Sequence, residues 1–402
     1  MQKNERVLLL TLAALNFTNI MDFMIMMPLG PQLMRIFDIS PKQFGIIVSS
    51  YTISAGISGF CSAFLIDKFD RKTALSFLYT GFIIGTFMCG LAPNYEMLLF
   101  ARIFTGIFGG VMGAVVLSIV GDVIPVERRG QAMGTLMAAF SVASVFGVPF
   151  GLFIATHSEL GWHAPFLFLA ICGLPVAYFI YKYVPSINKQ IEAGKDNNPW
   201  QIIKNVTSTK NQLWAMLLMI MIMMGHFAII PFLSPYMVSN LGFQESQLPL
   251  IYMIGGAFTI FSSPLIGKAA DKYGKLNVFI VFIILCAIPV LTITNMPKVP
   301  IYYVLGVTSL FFVFSGGRMI PAQAMVTSSV NPMYRGSFMS ITSALQQLSA
   351  GFASYIAGVL VHKDTLTGQL EGYHYVGLFS VTLTLLSIFI AVKVRTFDGK
   401  RI

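Results

Sequence analysis

Apolar residues run along this chain in blocks of about twenty, broken by short polar interruptions. A block of that length matches the roughly 20 residues a helix needs to cross a bilayer. Helix is the form to expect, because lipid cannot satisfy a bare backbone. The pattern predicts twelve spanning helices, at 8–34, 43–66, 73–92, 96–121, 130–156, 164–184, 212–238, 246–269, 277–296, 300–325, 337–361 and 374–394. Only 185–211 is both long and polar, and it reads as a cytoplasmic linker, with room for a short surface helix from Pro199. The expected organisation is an all-α membrane protein: an N-terminal six-helix bundle over 1–184, the linker, and a C-terminal six-helix bundle over 212–402.

Composition sharpens this. The chain is 56% hydrophobic and 10% charged, with mean hydropathy +0.76, against about 25% charged residues in ordinary soluble chains. That leaves no room for a separate soluble domain. The first apolar block has no small-residue cleavage site after a short apolar core, so a retained helix is expected rather than a signal peptide. The formal charge of +10 does not point to nucleic acid. With both termini inside, twenty of the 26 Lys and Arg fall on the cytoplasmic side, and only Arg35, Lys42, Lys298 and Lys363 on the outer side. That bias is the positive-inside rule, and it predicts a multi-pass protein of the cell (inner) membrane. The four cysteines, Cys61, Cys89, Cys172 and Cys286, sit inside apolar blocks and read as free thiols.

The halves repeat. An offset of 204 carries Asp22 to His226, Phe23 to Phe227, Pro31 to Pro235, Asp67 to Asp271, Lys68 to Lys272 and Arg71 to Lys275. Further on, an offset of 206 carries Arg129 to Arg335, Gly130 to Gly336 and Met133 to Met339. Parallel repeats about an axis along the membrane normal, with a site between them at mid-membrane, are one known transporter design.

The chemistry centres on Asp22, a lone carboxylate near the middle of the first block, with Asn19 one turn before it. An ionised Asp at that depth costs about 2.5–3.5 kcal/mol on insertion scales. It needs a partner, a watery cavity or a proton, and a proton-trading role is the reading taken here. Purely structural hydrogen bonding between helices is the alternative. His226 occupies the matching place in the second half and could share proton traffic. Arg318, deep in the tenth predicted helix, needs a carboxylate, and Asp22 is the only deep acid in the sequence; an Asp22–Arg318 pair that opens on protonation is therefore an expectation. Arg102 begins an Arg-x-x-x-Gly run with Gly106 and Gly110. It reads either as part of the proton relay or as a cation snorkelling to the outer interface.

Two loops carry related signals. AFLIDKFDRK (63–72) follows the second predicted helix, and GKAADKYGK (267–275) follows the eighth. An acid there can reach the positive end of a neighbouring helix, so Asp67, Arg71, Lys72, Asp271, Lys272 and Lys275 are candidate gating residues, with Asp122 as a partner for the first loop. These loops resemble the signature G-x-x-x-D-(R/K)-x-G-(R/K)-(R/K) of the major facilitator superfamily. The second copy fits well; in the first, Ala63 and Asp70 replace the two glycines, which suggests a looser turn or an extra salt bridge. Arg102 and Gly106 resemble the family's fourth-helix motif, whose Arg is linked to proton coupling. Gly147, Pro149 and Gly151 resemble the fifth-helix antiporter motif of drug and sugar efflux branches, and GVPFG followed by GWHAPF resembles the arabinose-efflux-permease-like group.

The resemblance implies twelve helices in two pseudo-symmetric bundles and a proton-coupled efflux antiporter for a small amphipathic or hydrophobic solute, working by alternating access. A proton-coupled importer or an uncoupled facilitator is the alternative. Further cavity candidates are Asn19, Phe23, Met26, Met223, Phe227, Gln323, Gln346 and Gln347. No P-loop motif is present to couple ATP. Intramembrane polar residues are too few for a metal cluster or a nucleophile–base pair, so neither enzyme activity, metal nor cofactor is expected. The partners expected are a small-molecule substrate, protons and membrane lipids, with the chain a monomer.

Overall fold

The computed structural model describes residues 3–62, 68–125, 128–187, 207, 209–331 and 335–399. Among these the chain is built of helices: α1 (Lys3–Ile25), α2 (Gly30–Ile36), α3 (Pro41–Ser62), α4 (Arg71–Gly90), α5 (Tyr95–Val123), α6 (Arg129–Val142), α7 (Val148–His157) and α8 (His163–Tyr183), then α9 (Lys210–Ser239), α10 (Leu248–Tyr273), α11 (Lys275–Thr294), α12 (Ile301–Ser328), α13 (Arg335–Leu360) and α14 (Tyr373–Ala391). A π-helical turn, Ala143–Gly147, joins α6 to α7 into one pass. Among the described residues, 11 helices are long and apolar enough to cross a membrane. The twelfth pass is α13, whose Ser, Thr and Gln side chains lower its hydropathy. The expected linker lies mostly outside the described residues.

Local chemistry sets the ends. Asp70 caps α4 by accepting from the Thr73 N–H (2.9 Å), Asn94 caps α5 by accepting from the Met97 N–H (2.9 Å), and Thr209 with Gln212 forms a capping box on α9. Gly274, at φ +92°, ends α10 and begins α11.

Two predicted helices are corrected. The first does not run unbroken from 8 to 34: it stops at Ile25 and restarts at Gly30, because Pro28 and Pro31 each lack an N–H to continue the ladder. The fifth is interrupted at the π turn. Pro149 has no N–H to give Val145, and the ladder shifts register one residue earlier, where the Val148 N–H reaches the Ala143 carbonyl, five residues back. A short antiparallel pair, β1 (His362–Lys363) with β2 (Leu370–Glu371), lies between α13 and α14 and was not expected.

Within the first half α3 and α4 pack on α5, and α4 on α8; within the second, α10 and α11 pack on α12, and α9 on α14. The halves meet along two seams, α3 against α13 and α7 with the π turn against α10. Small residues permit this closeness: a Cβ on Gly45 would lie 2.9 Å from the Ser354 carbonyl oxygen, and one on Gly256 would lie 2.8 Å from Val145. Away from the termini the halves share one core, in which Ile25, Phe44 and Trp162 pack with Phe232, Ile251 and Phe311. Toward the termini the core divides: Leu12, Leu78, Val116 and Leu136 belong to the first half, Met219, Phe279, Met325 and Phe338 to the second. The molecule is therefore closed on the side opposite its termini.

Candidate functional site

Asp22 is fully buried near the end of α1, and both its oxygens are engaged. Oδ2 accepts from Arg102 Nη1 of α5 at 2.7 Å, and Oδ1 accepts from the Thr86 hydroxyl of α4 at 3.0 Å. Arg102 is equally buried, and its guanidinium carbon sits 4.4 Å from the centre of the Tyr51 ring. A cation on an aromatic face gains from the ring quadrupole. Tyr51 of α3 donates to Asn19 Oδ1 (3.1 Å), and Asn19 Nδ2 donates to the Gly109 carbonyl (3.2 Å). Four helices thus converge on one ion pair. Glycine makes the approach possible, since a Cβ at Gly106 would fall 2.4 Å from the Tyr51 carbonyl oxygen and one at Gly110 2.2 Å from that of Ala55.

This overturns one expectation. Asp22 does not pair with Arg318; it pairs with Arg102, which is buried in the bundle and does not snorkel. Spacing alone could not choose between two arginines on different helices; the meeting of side chains from α4 and α5 at Asp22 does. Tyr51 and Thr86 were missed. Thr86 is one of several hydroxyls in an apolar block, beside Thr73, Ser76, Tyr79 and Thr80, a weak signal that only a neighbour in space makes specific.

From this pair a line of rings crosses to the other half. Tyr51 stacks on Phe23 (5.5 Å), Phe23 meets Phe227 (5.7 Å), Phe227 meets His226 edge-on (5.2 Å), and His226 stacks on Phe311 (5.9 Å). The repeat mates Phe23 and Phe227 are thus in contact. Asp22 adjoins this line next to Phe23, and His226 is part of it in the other half; among the described residues His226 Nδ1 has no hydrogen-bond partner. Arg318 is buried on α12, and among the described residues its Nε and Nη2 also lack hydrogen-bond partners. Met223, Gln323, Gln346 and Gln347 are half-buried on α9, α12 and α13. Met26 is fully buried in the shared core.

The model of the Major Facilitator Superfamily matches this chain over residues 12–353 and 215–401. The chain belongs to that superfamily. The MFS-type transporter YceJ of Bacillus subtilis (strain 168) is 23% identical over 368 residues, covering 90% of this chain and 91% of that protein. A probable sugar efflux transporter of Helicobacter pylori (strain G27) is 22% identical, covering 96% of this chain and 93% of its own length. Among solved structures, a D-xylose–proton symporter superposes over the full length of both chains with a TM-score of 0.80 at 17% identity, which speaks to fold alone.

The superfamily's loop signature is placed as follows. Asp67 lies outside the described residues. Arg71, buried at the start of α4, faces Asp122 at the end of α5 (3.5 Å), as expected of that pair. Lys72 lies over the Tyr181 ring (4.9 Å). Asp70 stands where the signature has glycine, and among the described residues it makes no salt bridge. Besides capping α4, it accepts from the Ser186 hydroxyl (2.9 Å) and the Ile187 N–H (2.7 Å), pinning the chain beyond α8 to the loop. In the second copy Asp271 and Lys272 are exposed on the last turn of α10, and with Lys275 they make no ion pair among the described residues. The fifth-helix motif packs on α1: a Cβ on Gly147 would lie 3.1 Å from the Met21 sulfur, and one on Gly151 2.8 Å from Ile25. Pro149 lies between them, in the first turn of α7 just past the π turn.

Proposed function

We propose that this superfamily member is a proton-coupled efflux antiporter of a small amphipathic or hydrophobic solute. The observation that carries the reading is the sealed Asp22–Arg102 pair, one residue from the Phe23–Phe227 contact between the halves. A proton and Arg102 compete for the same carboxylate oxygen. Protonation replaces an ion pair by a neutral acid beside a free guanidinium, and this loosens α1 from α5 at the place where α1 touches α9. A ligand shifts a conformational equilibrium only by its differential affinity for the two states. The proton meets that condition if the carboxylate is held by Arg102 in one state and released in the other. The fifth-helix glycines packed on α1, and the relative described as a probable sugar efflux transporter, support the efflux direction.

The charge bias supports cytoplasmic termini, so the closed side faces outward and the divided side faces the cell interior. Arg71, Asp122, Asp271, Lys272 and Lys275 then stand at the inner gate. The experiment is solute movement in vesicles under an imposed pH gradient. Asp22→Asn is expected to abolish pH-driven movement while solute exchange without a gradient persists. Full coupling in Asp22→Asn would move the proton site elsewhere; solute entering with the proton would make this protein an importer.

A further inference from the structure

With Asp22 taken by Arg102, the second half holds a buried cation and no acid to match it. Arg318 is 1% exposed, its Nε and Nη2 have no hydrogen-bond partner, and among the described residues no carboxylate lies within ion-pair distance. Among the described residues Asp22 is the single buried Asp or Glu. The repeat does not explain Arg318 either, because the 206 offset sets Thr308 opposite Arg102. An uncompensated buried ion costs several kcal/mol, and a guanidinium presents a planar fork suited to carboxylate, sulfonate or phosphate. A second nitrogen without a hydrogen-bond partner among the described residues, His226 Nδ1, lies on α9, which packs against α12. The His226 ring stacks on Phe311, which lies two turns from Arg318 on the same face of α12. Phe227 closes the other side at 5.2 Å from His226.

We infer that the transported solute is an organic anion with an apolar or aromatic body. Its acidic group binds Arg318 with His226 alongside, and its body lies against Phe227 and Phe311. This rests on the transport reading but not on proton coupling, so it is tested by binding. The full-length protein in detergent is melted with benzoate, benzenesulfonate or phenyl phosphate at millimolar concentration, against the neutral isostere benzamide and against chloride. At least one organic anion is expected to raise the melting temperature more than benzamide and chloride do. Arg318→Gln should weaken that anion roughly tenfold or more, the scale of a lost charge-assisted bond, and Arg318→Lys should recover part of it. Should Arg318→Gln not fold, His226→Leu carries the test, with a severalfold loss expected for the anion and none for benzamide. The inference is overturned if no organic anion outperforms benzamide, if chloride protects equally, or if the anion preference survives in the folded variant. Failure here leaves the pH-gradient experiment standing, and failure there leaves anion binding standing.

Discussion

Both oxygens of Asp22 are held by donors from other helices, so its neighbours are built around a charge. Removing one partner of a buried pair leaves the other unmatched and costs about 3–5 kcal/mol, whereas replacing both with apolar groups of similar volume is often neutral. Arg102→Met is therefore expected to lower the unfolding midpoint strongly, and Asp22→Leu/Arg102→Met to recover much of it; equal losses in single and double variants would mean that the pair is uncoupled. Asp70 works on a smaller scale. Burial pushes its carboxyl up, but bonds from the Thr73 N–H, Ser186 hydroxyl, Ile187 N–H and Thr73 hydroxyl outweigh that and hold it below the ordinary carboxylate range. A lowered folded value gives stability that is present above the unfolded value, near 3.9, and is lost as pH falls through the folded one. Asp70→Ala should cost about 1 kcal/mol at neutral pH. Melting curves of the two proteins should converge below about pH 4.

Helix packing in the first half is set by where α5 lacks side chains. A Cβ at Gly110 would meet the Ala55 carbonyl oxygen at 2.2 Å, while one at Gly113 would meet nothing within 4 Å. Gly110→Ala should therefore destabilise by about 1–3 kcal/mol through overpacking. Gly113→Ala, on the same helix, should be neutral or gain up to about 1 kcal/mol of helix propensity. Thermal melting of the two variants checks this, and equal effects would mean that α3 and α5 are free to separate. The π turn belongs to the same scale. Pro149 forces the register shift, and the turn it creates sets Val145 against Gly256 across the seam. Hydrophobic periodicity did not foretell this turn, because a π insertion adds no polar residue.

Across the whole molecule, contacts between the halves lie in the shared core and on the side away from the termini. Phe44 meets Phe232 edge-on (5.8 Å), and Arg35 pairs with Glu245 across the gap. Links near the termini stay within one half: Arg128 with Glu5 (2.7 Å), and Asn211 with the Arg395 backbone (2.8 Å). If transport alternates between two openings, the Arg35–Glu245 side must open in each cycle. Cysteines at 35 and 245 in a background without Cys61, Cys89, Cys172 and Cys286, bridged by a short cleavable thiol reagent, should stop solute exchange until the reagent is cleaved. Undiminished exchange with the bridge in place would exclude opening on that side.

Twelve passes, the doubling of the chain, the charge bias and a charged residue that lipid would not tolerate unaided were all legible in the order of residues alone. These follow from composition and period, which act locally along the chain. Which arginine neutralises Asp22 was not legible there, because Arg102 and Arg318 are both cations in apolar helices and only the folded chain brings one of them to the carboxylate. The same packing left His226 Nδ1 and Arg318 Nε and Nη2 without hydrogen-bond partners among the described residues, and placed Asp70 as a clasp on the chain beyond α8. Pairings between residues dozens of positions apart depend on how closely helices approach, and that is fixed by glycines and prolines acting together in three dimensions.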